Sequence, residues 1–300
     1  GTSLLCLGEL EPARAQLEQA LSLYDPGRHE SPAIFQGLEP GVLGLAFIAW
    51  DLWLLGYPDQ ALARSQAMLA LAQTLSHPPA SAAALVFAAD LHLCRREVQQ
   101  AHELAQATIA LATEHCLPFW LAWGTILSGR ALAAQGRAAE GIEKMQQGMS
   151  AYLATGAEFN RPHALALLAE AYAGAGRAEE GLKTLDEALE LVERTQERLY
   201  EAELHRLKGE LTLLLPAGAA QEASRPDQAQ ACFQQAIEIA RRQGARSLEL
   251  RAVMALSRLW RQQGKSIEAR QMLSEIYSGF TEGFDTADLQ EAKALLGELQ

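Results

Sequence analysis

A short phrase returns down the chain at intervals of about forty residues or a multiple of that spacing: a glycine, a polar turn, then an acid or amide ahead of a small residue. It reads Gly56-Tyr57-Pro58-Asp59-Gln60-Ala61, Gly136-Arg137-Ala138-Ala139-Glu140-Gly141, Gly176-Arg177-Ala178-Glu179-Glu180-Gly181 and Gly264-Lys265-Ser266-Ile267-Glu268-Ala269. A fixed period of this size marks stacked repeats, in which one unit cannot bury its own apolar face and leans on its neighbours. It also steers function toward binding, because repeats supply surface more readily than chemistry.

Each unit reads as two helices. In the stretch Ala164 to Tyr172, Leu165, Leu168, Ala169 and Tyr172 recur at helical spacing, and Ala173-Gly174-Ala175-Gly176 ends the helix. The second helix repeats Leu182, Leu185, Ala188, Leu189 and Val192 on one face, with Glu179 and Glu180 in its first turn, where the helix dipole favours anions. The same spacing predicts second helices over 11–23, 58–75, 98–114, 137–154, 177–193, 226–242 and 265–277. A capping helix is expected near 286–299, with Asp285 or Thr286 as N-cap.

The domain reading is one solenoid over 1–300. It has a partial first repeat over 1–24, a long loop over 25–40, about six hairpins over 41–283 with a mobile insertion over 216–225, and a capping helix over 284–300. Two turns break the phrase: Cys94-Arg95-Arg96-Glu97 stands where a glycine belongs, and the Pro216 insertion interrupts the sixth unit. The array is expected to be least regular there.

Bulk properties narrow the function classes. The net charge of −12 argues against sequence-independent nucleic-acid binding, whose affinity comes from phosphate neutralisation by Lys and Arg. Four cysteines lie scattered with no Cys-x-x-Cys pair, so neither a disulfide framework nor a zinc site is expected, and the setting is read as reducing and cytoplasmic. No apolar run reaches membrane-spanning length, since the best, Val42 to Leu55, is broken by Gly44 and Asp51. The opening Gly1-Thr2-Ser3, without a methionine, is read as part of something longer.

The positions where helices must approach closely carry small residues: Ala49, Ala89, Gly129, Ala169, Gly209 and Ser257 on first helices, and Ala13, Ala61, Ala101, Gly141, Gly181, Ala229 and Ala269 on second helices. Three residues after the first-helix small residue comes a bulky one, Leu52, Leu132, Tyr172 or Trp260, from which His92 and Thr212 depart. This pattern resembles the tetratricopeptide repeat (TPR), and implies an all-α, right-handed superhelical solenoid of TPR-like hairpins. A closer resemblance lies in Trp53-Leu54-Leu55-Gly56-Tyr57-Pro58-Asp59-Gln60-Ala61, Pro118-Phe119-Trp120-Leu121-Ala122-Trp123-Gly124, Tyr200 to Leu211 and Phe280 to Thr286. These stretches look like the C-terminal helical region of large bacterial signalling ATPases of the STAND type, which carry a nucleotide cyclase or DNA-binding domain ahead of the ATPase. The resemblance implies a non-catalytic regulatory region that binds a protein segment, or the ATPase domain of its own chain.

Catalytic motifs are weak. Gly264-Lys265-Ser266 echoes a phosphate loop, but Leu259 stands where its first glycine belongs and no strand precedes it. His102-Glu103 lacks the second histidine of a zinc helix. Glu201 and His205 share a helical face and can pair, without a nucleophile or metal nearby. The chain is therefore read as no enzyme, with no cofactor and no metal.

In a TPR-like architecture the first helices line the concave face. Offsets from the small residues then predict a groove of Trp50, Trp53, Asp90, Trp123, Arg130, His163, Glu170, Glu203, Arg206, Glu210, Arg251, Arg258 and Arg261. Tryptophans come early, alternating charge in the middle and arginines late. The tryptophans suit a peptide or a sugar-like small-molecule effector, or else serve as core between neighbouring repeats. The arginines suit a carboxylate or phosphate, or else form a solvated face.

Overall fold

The computed structural model describes residues 1–24, 39–216 and 224–299. Fifteen helices and no strand occur among the described residues. A short α1 (Thr2–Cys6) and α2 (Leu10–Ser22) form the opening pair. The next hairpins are α3 (Pro40–Leu54) with α4 (Pro58–Leu75), α5 (Pro78–Cys94) with α6 (Val98–Glu114), and α7 (Pro118–Ala134) with α8 (Ala138–Ala154). Then come α9 (Arg161–Gly174) with α10 (Ala178–Thr195), α11 (Glu201–Leu214) with α12 (Arg225–Gln243), and α13 (Arg246–Gln262) with α14 (Ser266–Ser278). Helix α15 (Ala287–Glu298) closes the series. Of the long loop expected over 25–40 and the insertion expected over 216–225, residues 25–38 and 217–223 lie outside the described residues, while Pro40 already opens α3 and Arg225 opens α12.

The two helices of a hairpin differ in burial because they differ in neighbours. On α5, Ala80, Ala82, Ala83, Ala84, Val86, Phe87, Ala88, Ala89, Asp90, Leu91 and Cys94 are all buried, which leaves little of the helix for solvent. On α6 only Ala101, Ala105, Thr108 and Ala112 are buried, a single stripe at helical spacing. The first helices α5 and α7 read as nearly continuous apolar runs, whereas the second helices α6 and α8 keep a wet face.

The recurrent glycine closes the four hairpins that carry it. Gly56, Gly136, Gly176 and Gly264 all adopt positive φ, between 69° and 91°. At three of them the next residue donates its N–H back across the turn: Arg137 to Leu132 O at 3.0 Å, Arg177 to Tyr172 O at 2.9 Å and Lys265 to Trp260 O at 2.9 Å. This six-to-one bond defines a Schellman cap and satisfies a carbonyl at the helix end.

The third turn corrects the expectation of irregularity. Arg96 takes the left-handed conformation at φ 63°, and Glu97 N–H bonds His92 O at 2.8 Å, as in the glycine turns. Local polar contacts support it. Arg95 is buried and donates from Nη1 to Pro58 O and from Nε to Glu97 Oε1, both at 2.8 Å. His92 Nδ1 lies 2.5 Å from the other Glu97 oxygen, so the departing histidine serves the turn.

The chain divides into two compact units. The first comprises Gly1–Leu5, Glu11–Trp53 and Pro58–Phe159; the second comprises Cys6–Leu10, Leu54–Tyr57 and Asn160–Gln300. Within the second unit, hairpin turns far apart in sequence touch. Arg198 N–H donates to Cys6 O at 2.7 Å, and Gln243 Nε2 donates to Arg198 O at 2.8 Å. A Cβ at Gly8 would fall 2.5 Å from Gln243 Nε2, and one at Gly56 would fall 3.0 Å from Arg246 Cβ.

At the end of the chain Leu289, Ala292, Leu295 and Leu299 of the α15 segment join the core of α12, α13 and α14. Thr286 is the N-cap of α15, although its hydroxyl donates to Gly283 O at 2.6 Å instead of accepting from the helix.

Candidate functional site

The residues that the repeat register assigns to the first-helix face divide between the units, and the two sets differ in chemistry. In the first unit Trp50 and Trp53 on α3 and Trp123 on α7 are each no more than 5% exposed. Trp50 meets the Phe87 ring edge-on with centroids 4.9 Å apart, and Phe47 meets Phe87 at 5.4 Å. Phe159, a half-exposed ring, adds an edge contact to Phe47 at 6.5 Å. Trp123 packs on Tyr152 at 5.6 Å, and the Tyr152 hydroxyl donates to Phe159 O. Asp90 is buried on α5, while Arg130 on α7 is half-buried. These aromatic rings are spent on one another, in the edge-to-face arrangement their quadrupoles favour.

In the second unit the same register carries ions. His163 on α9 is buried and stacks on Tyr200, with ring centroids 3.9 Å apart and planes 15° from parallel. Arg206 on α11 grips Glu203 through two bonds of 2.8 Å and reaches Glu210 at 2.5 Å. Burial opposes the Arg206 charge, but Glu203, Glu210 and, more weakly, Glu170 hold it firmly protonated. Such a pair needs this geometry, because two ions taken out of water regain their desolvation cost only through close, multiple hydrogen bonds.

The late arginines have partners in the chain itself. On α13, Arg251 Nε donates to Asp288 at 2.7 Å and its Nη1 lies 3.6 Å from Glu203. Arg258 bonds Glu291 at 2.5 Å, and the exposed Arg261 bonds Glu298. Helix α15 thus lays a row of acids along a row of arginines. Six carboxylates, from Glu170, Glu203, Glu210, Asp288, Glu291 and Glu298, meet four guanidiniums among these residues. Among these ten groups the acids outnumber the guanidiniums by two, and Glu210, Glu291 and Glu298 are the more exposed acids.

Sequence reasoning missed the acids of α15, and the signal was there: 288, 291 and 298 share a helical face, as do 251, 258 and 261. The pairing anticipated between Glu201 and His205 gives way to another, since Glu201 accepts two bonds from Arg198 at 3.0 and 3.1 Å. Burial lowers the His205 pKa, against the pull of Glu201. Gly264-Lys265-Ser266 is a hairpin turn, with Lys265 as the N-cap of α14. No cluster of three or more metal-ligating side chains occurs among the described residues, and no described helix is long and apolar enough to cross a membrane.

Known proteins share this arrangement of helices. A Rap protein, crystallised in complex with competence and sporulation factor, superposes with a TM-score of 0.64 at 13% identity, over 99% of this chain and 77% of that one. Yeast Tom70 gives a TM-score of 0.51 at 11% identity, over 97% of this chain and 58% of that one. The region is TPR-like. No protein-family profile matches the chain. Among curated sequences, an uncharacterized protein of Rhizobium meliloti (strain 1021) is 29% identical over 247 residues, covering 82% of this chain. The chain spans 23% of the length of that relative.

Proposed function

We propose that this chain is the interaction region of a larger bacterial signalling ATPase, and that the first-helix face of its second unit receives a protein segment rich in lysine or arginine. The observation that carries the reading is the excess of carboxylates in the cluster around Arg206 and α15, where Glu210, Glu291 and Glu298 retain access to water. A surface of one sign selects partners of the other and speeds their encounter. The TPR-like fold, the complex of the Rap protein with competence and sporulation factor, and the much greater length of the bacterial relative all support an interaction role within a larger protein. The ATPase itself rests on the resemblance of the quoted stretches, and the partner is either that domain or a separate protein.

A sugar-like effector stacked on the tryptophans is the weaker reading. Trp50 and Trp123 would have to leave Phe87 and Tyr152 to face a ligand.

The test is fluorescence anisotropy of a labelled lysine-rich peptide, alongside a pull-down of the separately expressed remainder of the parent chain. Glu170→Gln with Glu291→Gln is expected to weaken binding about tenfold, which corresponds to about 1.4 kcal/mol, and to flatten the loss with added salt, because fewer charges remain to be screened. Unchanged affinity in the double variant, with an unchanged thermal melt, would overturn the proposed face.

A further inference from the structure

The third residue of the small-residue register, two places after Ala49, Ala89, Gly129, Ala169, Gly209 and Ser257, faces core in every hairpin. It is Leu91, Ala131, Ala171, Leu211 or Leu259, none more than 4% exposed. On α3 it is Asp51, which is 0% exposed. Neither of its carboxyl oxygens has a hydrogen-bond partner among the described residues. A repeat that places an acid where its siblings place leucine or alanine has forgone packing, and a buried carboxylate without partners is among the costliest groups a core can hold.

Among the described residues, the charged groups acting on Asp51 are Glu11, Arg14 and Glu18, all on α2. Arg14 is the one favourable charge among them, and its Nε is engaged with Glu18 Oε1 at 3.1 Å. The carboxyl therefore faces a helix that repels its ionised form more than it attracts it. Helix α2 is held by a short apolar stripe, with Ala13 and Leu17 buried. It also contributes Leu21, which lies 3.7 Å from a Cβ placed at Gly44 of α3.

We propose that Asp51 is a proton-controlled switch for the seating of α2 on α3. Protonated, the side chain is a small neutral group that the interface tolerates. Ionised, it either draws water between the helices or drives α2 away, and α2 opens locally while the remaining hairpins stay folded. Burial, with the fields of Glu11 and Glu18 outweighing Arg14, raises the carboxyl pKa to about 8. Because the folded-state value lies above the unfolded one, the seating is strongest at low pH and weakens as pH rises through about 8, after which it levels off.

Amide hydrogen exchange on the intact chain reads this helix by helix. After correction for the intrinsic pH dependence of exchange, protection of α2 is expected to fall by about tenfold between about pH 6 and pH 7, and to level above about pH 8. Protection of α10 should stay constant. Asp51→Asn should abolish the pH dependence at α2, and Asp51→Leu should abolish it and raise protection at every pH. The proposal is overturned by wild-type protection at α2 that does not change with pH, or by a pH dependence that survives in Asp51→Asn. Should Asp51→Asn fail to fold, the same comparison is made with Asp51→Leu, and survival of the dependence there is equally fatal.

Discussion

The two units use one helical register to build two kinds of interior. Six places before the small residue of the first helix stands Trp123 in the first unit, and His163, Glu203 and Arg251 in the second. One place after it stand Trp50, Asp90 and Arg130, then Glu170, Glu210 and Arg258. The backbone fixes where these side chains go, because small residues set how closely helices approach. It leaves open what they are. The first unit sets Trp50 and Trp123, rings that pack on rings, beside the buried Asp90 and the half-buried Arg130. The second fills the same positions with ions, whose stability depends on every partner being present.

The sharpest way to break this contrast is to remove one member from each interior. Trp50→Ala leaves a cavity against Phe47 and Phe87, and Arg206→Leu leaves Glu203 buried without its main partner. Each is expected to cost about 3–5 kcal/mol in urea unfolding. The loss should be independent of salt for Trp50→Ala. In the second unit, adding Glu203→Leu to Arg206→Leu should recover much of the loss, because it removes the stranded charge; no second truncation will rescue Trp50→Ala.

A smaller effect separates buried ions from exposed ones within the second unit. Arg258→Ala, at a pair whose side chains are 37% and 40% exposed, should cost about 0–1 kcal/mol and less still at high salt. Arg251→Ala, at a pair 16% and 15% exposed, should cost more. Equal costs at the two sites would erase the distinction between scaffold and surface in this cluster.

A further effect of comparable size is a gain. Cys116 ends the second helix of its hairpin in the first unit at φ 53°, where Gly244 does the same in the second unit at φ 72°. Cys116 is exposed, so Cys116→Gly should raise stability by about 1 kcal/mol by relieving the left-handed strain. A melt that does not move would mean that the turn carries no strain to relieve.

Much of the scaffold was legible in the sequence, because second helices have one wet face and their stripes, such as Gly181, Leu185, Ala188 and Val192, stand out against polar neighbours. The hairpin turns followed from glycine. What resisted reading was the state of the first helices. Those of the first unit, such as α3, α5 and α7, show almost no polar residue, so nothing local tells whether Trp50 lies in core or groove. Nor does local pattern reveal that Arg251 and Arg258 find acids 37 and 33 residues further on. Arg96 shows the opposite failure: a missing glycine looked like a broken turn, yet the bond from Glu97 N–H to His92 O holds the same cap.

One hairpin has consequences for the order in which the chain folds. At α7 and α8 the helices come so close that a Cβ at Gly129 would lie 2.7 Å from Gly141 O, and one at Gly148 would lie 2.8 Å from Ile126 Cγ1. Gly124 is equally close to Thr108 of α6. Glycine within a helix costs about 0.5–1 kcal/mol relative to alanine, so four of them make these two helices poor at forming alone. They make up for it only when backbone meets backbone. The α7–α8 hairpin is thus a poor nucleus, and folding should start in alanine- and leucine-rich neighbours such as α5–α6 and reach this pair late. Truncations here, Ile142→Val for one, should speed unfolding and leave the folding rate nearly untouched.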